Sequence, residues 1–277
     1  YRELQDQSAH YANGFLELGL KTGDRVSVQA NKTPLILFIY LACLRANLIF
    51  HPINTAYKDE ELSFLLEDAN PSLFICEQQV YENIGDLRLK KQPDHIFTTQ
   101  LNDKNSIHNI KLEGYHEVID CPEENTAALL YSSGTTGRPK GIMLSHGNIA
   151  FNAKSLKETW EFTEDDCLLH ALPIYHVHGL FVALGCVFLS GSKMLWLDTF
   201  EVNKVLAQLP RCTVMMGVPT YYTRLINSKG LNSKVTQDFR VFISGSAPLL
   251  KETFKDFSSI TGHEILERYG MTETNII

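Results

Sequence analysis

Leu130-Tyr-Ser-Ser-Gly-Thr-Thr-Gly-Arg-Pro-Lys-Gly141 concentrates hydroxyls, two glycines and a lysine immediately after an apolar run. Ala127 to Tyr131 suits the end of a buried strand. Gly134 and Gly137 let the following backbone turn so that successive N–H groups converge on an anion. Ser132, Ser133, Thr135 and Thr136 add hydroxyl donors, and Lys140 adds a mobile positive charge. An ordinary polar surface turn has the same composition, so the reading as a phosphate grip depends on what else the chain carries. Two familiar grips are excluded. A Walker loop starting at Gly134 needs glycine where Pro139 stands, and no Gly-x-Gly-x-x-Gly fits around Gly134 and Gly137.

Working outward, Ile142 to Leu144 reads as a strand, and Ile149, Ala153, Leu156 and Trp160 form one face of a helix. Strand, glycine loop, strand and helix make a scaffold for a phosphate clamp. Upstream, Leu4, Tyr11, Phe15 and Leu18 predict a helix stopped at Gly19, followed by a strand from Arg25 to Ala30. The apolar run Leu35 to Phe50, interrupted by Arg45 and Asn47, falls short of a membrane helix and reads as a buried one. Leu62, Leu65, Leu66 and Ala69 stripe another helix before Pro71 and a strand at Leu73 to Cys76. Residues 82–120 read as polar and irregular. Downstream, strands are expected at Thr213 to Met216 and Arg240 to Ser244. Pro219 opens a helix through Ile226, and Leu250, Phe254 and Phe257 mark another ending near Gly262. This alternation predicts an α/β architecture with mostly parallel sheets covered on both faces.

The chain of 277 residues has a formal charge of −7 and no basic footprint, which argues against nucleic acid as a partner. Six cysteines at 43, 76, 121, 167, 186 and 212 form no Cys-x-x-Cys pair, a pattern of a reducing compartment rather than a disulfide framework. The expected location is cytoplasmic, or the mitochondrial matrix if a leader has been removed. The composition leaves oligomeric state open.

Three further segments follow the loop: Leu172-Pro-Ile-Tyr-His-Val-His-Gly179, Ser244-Gly-Ser-Ala-Pro248 and Glu267-Arg-Tyr-Gly-Met-Thr-Glu273. With Tyr131 to Gly141, these four in this order resemble the acyl-adenylate-forming superfamily, and the phrasing around His176 and Arg268 looks like its malonyl-CoA synthetase branch. The resemblance implies a large N-terminal domain of two packed α/β subdomains, one discontinuous, with the active site in the groove between them. Residues 1–42 with 165–277 would form one subdomain and 43–164 the other. It implies ATP, Mg²⁺ and coenzyme A as partners of a small carboxylic acid. The acid would be activated as an acyl-adenylate and passed to the coenzyme A thiol.

By the same resemblance, Ser132 to Gly137 and Lys140 hold the β- and γ-phosphates, and Gly245, Ser246, Ala247 and Pro248 lie along adenine and the acyl pocket. Glu267, Arg268, Tyr269 and Gly270 continue the nucleotide site, with Tyr269 stacked on adenine. Thr272 reaches the α-phosphate and Glu273 ligates magnesium, while His176 and Met271 line the acid pocket. A metal role for the His176/His178 pair is disfavoured, because no further Cys or His stands at a ligand spacing. Ser246 and Arg224 lean toward a dicarboxylic acid such as malonate or methylmalonate, a guanidinium and a hydroxyl being a good receptor for a second carboxylate. An arginine capping its own helix is the bland reading of Arg224. The rival functions are an acetyl-, aryl- or medium-chain acyl-CoA ligase and a non-catalytic nucleotide-binding fragment. The chain ends at Ile277, before the family's β-barrel is complete and before its C-terminal lysine domain. The segment alone is therefore expected to be nearly inactive in thioester synthesis.

Overall fold

The computed structural model describes residues 1–87, 89–114, 116–132 and 138–274. The chain divides into two compact units, Tyr1–Gly147 and Asn148–Ile277.

The first unit begins with α1 (Arg2–Glu17), whose face of Tyr11, Ala12 and Phe15 is buried, and runs into β1 (Arg25–Gln29). Pro34 occupies the first turn of α2 (Pro34–Arg45), where its missing N–H costs nothing. The apolar run predicted as a single helix through Phe50 is split. Asn47 takes a left-handed φ of 51°, and the chain re-enters the sheet as β2 (Ile49–Pro52). Asparagine tolerates that conformation better than a branched residue, which is why the break falls there. The helix α3 (Asp59–Ala69) ends on left-handed Asn70 and delivers β3 (Leu73–Cys76), buried at every position. After a short helix α4 (Gln78–Glu82), the stretch read as irregular holds a strand β4 (His95–Thr98) that pairs with β3. Half-buried at an edge, His95-Ile-Phe-Thr98 lacks the long apolar signature of the central strands.

β5 (Thr126–Ser132) and β6 (Lys140–Ser145) complete a six-stranded sheet in the order β4-β3-β1-β2-β5-β6, parallel except for the β5/β6 pair. Leu62, Leu65 and Leu66 of α3 pack on one side with Phe74 and Ile53. β1 lies hydrogen-bonded between β2 and β3. Arg25–Gln29, from the segment 1–42, thus shares one sheet with Ile49–Pro52 and Leu73–Cys76 from the segment 43–164.

α5 (His146–Thr159) leads into the second unit. There β7 (Cys167–His170), α6 (Leu184–Ser190), β8 (Lys193–Trp196), α7 (Val202–Gln208), β9 (Val214–Gly217), α8 (Pro219–Ile226), β10 (Val241–Ser244), α9 (Lys251–Thr261) and β11 (Ile265–Glu267) follow in turn. The five strands form an all-parallel sheet ordered β11-β10-β9-β7-β8. Its core joins Met215, Tyr222, Phe242 and Phe257. The Tyr222 hydroxyl donates to the Ile243 carbonyl at 2.6 Å, fixing α8 against β10. At the start of β7, buried Asp166 accepts from Arg240 Nε and Nη2, each at 2.7 Å, and from Thr213 Oγ1 at 2.7 Å. Burial alone would raise that carboxyl, but these hydrogen bonds hold it below the usual carboxylate range.

Candidate active site

In an open parallel sheet, loops beyond the carboxyl ends of the strands form the ligand crevice. The second unit has such a crevice beyond β10 and β11. Residues 246–248, after β10, and 267–270, at and after the end of β11, line a cavity of about 560 Å³. Three interactions set its walls. The Gly245 N–H donates to the Gly217 carbonyl at 3.1 Å, the Arg268 N–H donates to the Ser244 carbonyl at 3.0 Å, and the Leu249 N–H donates to Glu267 Oε1 at 2.8 Å. Glu267 therefore braces the loop after β10.

Arg268 is the unusual wall residue. It is only 9% exposed, and its Nε and Nη2 find no hydrogen-bond partner among the described residues. Its guanidinium sits 5.9 Å from the Trp160 ring centroid and directly against Gly245. A Cβ at position 245 would meet Arg268 Cζ and Nε at 3.0 Å, so glycine there is what admits the guanidinium. Desolvation lowers the arginine's pKa to about 10, which still leaves it charged at neutral pH. A buried cation with unused donors is expensive to hold without an anion.

Beside it lies His178, the first residue of a wide turn of helix, His178–Ala183, that precedes α6. Its backbone path depends on Gly179, where a Cβ would collide with the Pro173 carbonyl. The His178 ring is 3% exposed, its Nδ1 is 3.2 Å from Ser246 Oγ, and its Nε2 has no partner among the described residues. Burial, reinforced by the charge of Arg268, pushes its proton affinity well below normal. Ser246 carries a left-handed φ of 68°, rare for a residue with a side chain.

Tyr269 is 71% exposed and offers an open ring face at the cavity wall. Met271 is 46% exposed and precedes the short turn Thr272–Thr274, in which the Glu273 carboxylate is exposed. Among the described residues, no group of three or more His, Cys, Asp or Glu could cage a metal. A lone exposed carboxylate fits magnesium only where a nucleotide's phosphate oxygens complete the shell.

A family model described as AMP-binding enzyme matches residues 1–277. The chain belongs to the AMP-binding enzyme family. It is similar to the mitochondrial malonate–CoA ligase of Mus musculus, at 30% identity over 99% of this chain and 50% of the relative. The malonate–CoA ligase of Arabidopsis thaliana is 32% identical over 80% of this chain and 40% of its own length. Among solved structures, ATP-bound MatB from Rhodopseudomonas palustris superposes with a TM-score of 0.92 at 42% identity, covering all of this chain and 55% of that one. The chain thus spans about half the length of the relatives it matches.

Within this family frame, the sequence-derived site residues fall into separate groups. Gly245, Ser246, Ala247, Pro248, Glu267, Arg268, Tyr269 and Gly270 meet at or beside one cavity. Ser132 and Lys140 are register partners at the end of the β5/β6 pair in the first unit. Ser133, Gly134, Thr135, Thr136 and Gly137 lie outside the described residues. His176 is exposed, with its ring edge-on to Tyr175 at 4.6 Å. Arg224 is exposed on α8, its guanidinium 4.9 Å from the Phe200 ring centroid, and the partner found for Ser246 Oγ is His178. Sequence reasoning passed over His178 as half of a weak His-x-His pair, and assigned Arg268 only to the nucleotide. The signal was one of setting: His178 opens a run of unbroken apolar residues, where a histidine must be buried.

Proposed function

We propose that this chain supplies the acid- and nucleotide-binding machinery of an ATP-dependent acid–thiol ligase that makes malonyl-CoA. The observation that carries the reading is Arg268, a buried guanidinium with two unused donors beside the cavity-lining Ser246. Malonate's second, non-reacting carboxylate satisfies that cation; an acetyl, aryl or fatty acyl chain leaves it unpaired. Similarity to malonate–CoA ligases across most of the chain supports the same acid.

In this reading, one oxygen of the reacting carboxylate attacks the α-phosphorus of ATP. A carbon-bound oxygen becomes joined to phosphorus as the bond to pyrophosphate breaks. The coenzyme A thiol then displaces AMP from the acyl carbon. The protein positions and neutralises rather than forming a covalent intermediate. Arg268 and Ser246 hold the remote carboxylate. Tyr269 offers its face to adenine. Thr272 is assigned to the α-phosphate, Ser132, Lys140 and the loop they bound to the outer phosphates, and Glu273 to magnesium. Bound there, magnesium offsets phosphate charge.

The test is pyrophosphate release by the full-length gene product with malonate and with acetate. Arg268→Met, close in volume but uncharged, should lower kcat/KM for malonate by about 100-fold, the order expected for truncating one partner of a buried ion pair. Acetate use should fall far less. Equal loss for both acids refutes the assignment, and Arg224→Ala measured in parallel apportions the two arginines.

A further inference from the structure

His178 touches Ser246 but does not itself line the cavity, so any role it has is exerted through that hydroxyl. The ring can carry its single proton on either nitrogen. With the proton on Nε2, the ring would bury an unsatisfied donor beside a guanidinium that is already short of acceptors. With the proton on Nδ1, no donor is left buried and unpaired, and Nδ1–H points at Ser246 Oγ, 3.2 Å away. The charged and titratable groups acting on the ring are Arg268, His170 and His176. His170 donates its own Nε2–H to the Gly179 carbonyl at 2.9 Å. Among the described residues, no carboxylate joins Arg268, His170 and His176 as a group acting on His178.

We propose that His178 is a positioning residue whose Nδ1–H tautomer, the one that leaves no N–H buried without an acceptor, donates to Ser246 Oγ and so turns the serine's own proton outward as a donor to the acid's remote carboxylate. A hydroxyl that already accepts from His178 is free to give its single hydrogen to the ligand. Two different donors then meet one carboxylate: a charged fork from Arg268 and an oriented O–H from Ser246. Ser246 without His178 is a free rotor that discriminates poorly between an anion and water. The inference rests on the reading of this cavity as the acid receptor.

Two measurements test it on the full-length gene product. Histidine-selective ¹⁵N NMR of the wild type reads the tautomer directly. His178 is expected neutral and protonated on Nδ1 through the neutral range; protonation on Nε2 overturns the proposal, whatever the acid proves to be. The second compares His178→Asn, which keeps an N–H near the Nδ1 position, with His178→Leu, which has none. His178→Leu should raise KM for malonate by about tenfold, the scale of one hydrogen bond to a charged group, with kcat little changed. His178→Asn should recover most of that loss. Equal defects in the two variants overturn the positioning role. If His178→Leu does not fold, the wild-type NMR result decides alone. Activation of a different acid by the wild type refutes the malonate reading while leaving the tautomer result standing.

Discussion

Gly245 shows how much one missing carbon decides. A Cβ at this position would stand 3.0 Å from Arg268 Cζ and Nε, so Gly245→Ala must shift the guanidinium by a few tenths of an ångström. If Arg268 holds the acid as proposed, the expected outcome is a folded protein with a reduced malonate-to-acetate ratio of kcat/KM. A second residue-scale prediction concerns acid. His51 is buried, its Nδ1 2.8 Å from Ser27 Oγ, and burial lowers its pKa to about 3 against an ordinary 6.5. The unfolded chain therefore binds a proton that the folded chain refuses. The stability this histidine contributes is full above pH 6.5 and declines as pH falls toward about 3. Each such group adds a slope of about 1.4 kcal/mol per pH unit within that window. Urea midpoints measured downward from pH 6.5 should show His51→Asn with a shallower acid slope than wild type. His178, also depressed by burial, adds to the same trend.

Elements differ in how openly the sequence declared them. α8 was legible to its ends, because Pro219 can only start a helix and Tyr222 and Leu225 mark its buried side. β3, β9 and β10 were legible because strands covered on both faces are continuously apolar. β4, β8 and β11 were not: they stand at sheet edges, where half-buried His95 and exposed Lys193 and Glu267 dilute the pattern. The wide turn 178–183 had no signature beyond Gly179, since its unusual bonding reflects packing against Pro173 rather than local preference. At this scale, Tyr222→Phe should keep the ring packed and lose the bond that ties α8 to β10. The cost should be about 1 kcal/mol by chemical denaturation.

The described residues carry two sheets, each with its own apolar cluster. The α/β class and the nearly all-parallel pairing were legible from alternation, but which strands share a sheet was not. Which sheet β1 joins is decided by hydrogen bonds to strands at positions 49–52 and 73–76, and no local pattern encodes a choice between two equally apolar sheets. The site was legible as a set of short segments, while its polarity was not, because burial of Arg268 and His178 depends on residues far apart in sequence. No helix among the described residues is long and apolar enough to cross a membrane. In the second unit, the Asp166–Arg240 pair links the start of β7 to the residue before β10 and, through Arg240 Nη1, to the Trp160 carbonyl. Arg240→Ala leaves a buried carboxylate unpaired, and a loss of about 3 kcal/mol is expected in the unfolding free energy. Hydrogen exchange should report it first at β7 and β9.

If Ser246 grips the acid as proposed, it puts selectivity and robustness in opposition. Its left-handed backbone is a conformation that glycine adopts freely and serine holds only at a cost of about 1 kcal/mol. Ser246→Gly should therefore melt higher than wild type while accepting a wider range of acids. A lineage evolving under selection for heat resistance alone would be expected to drift toward promiscuity at this position, and the persistence of serine would mark a chain whose fitness depends on refusing the wrong acid.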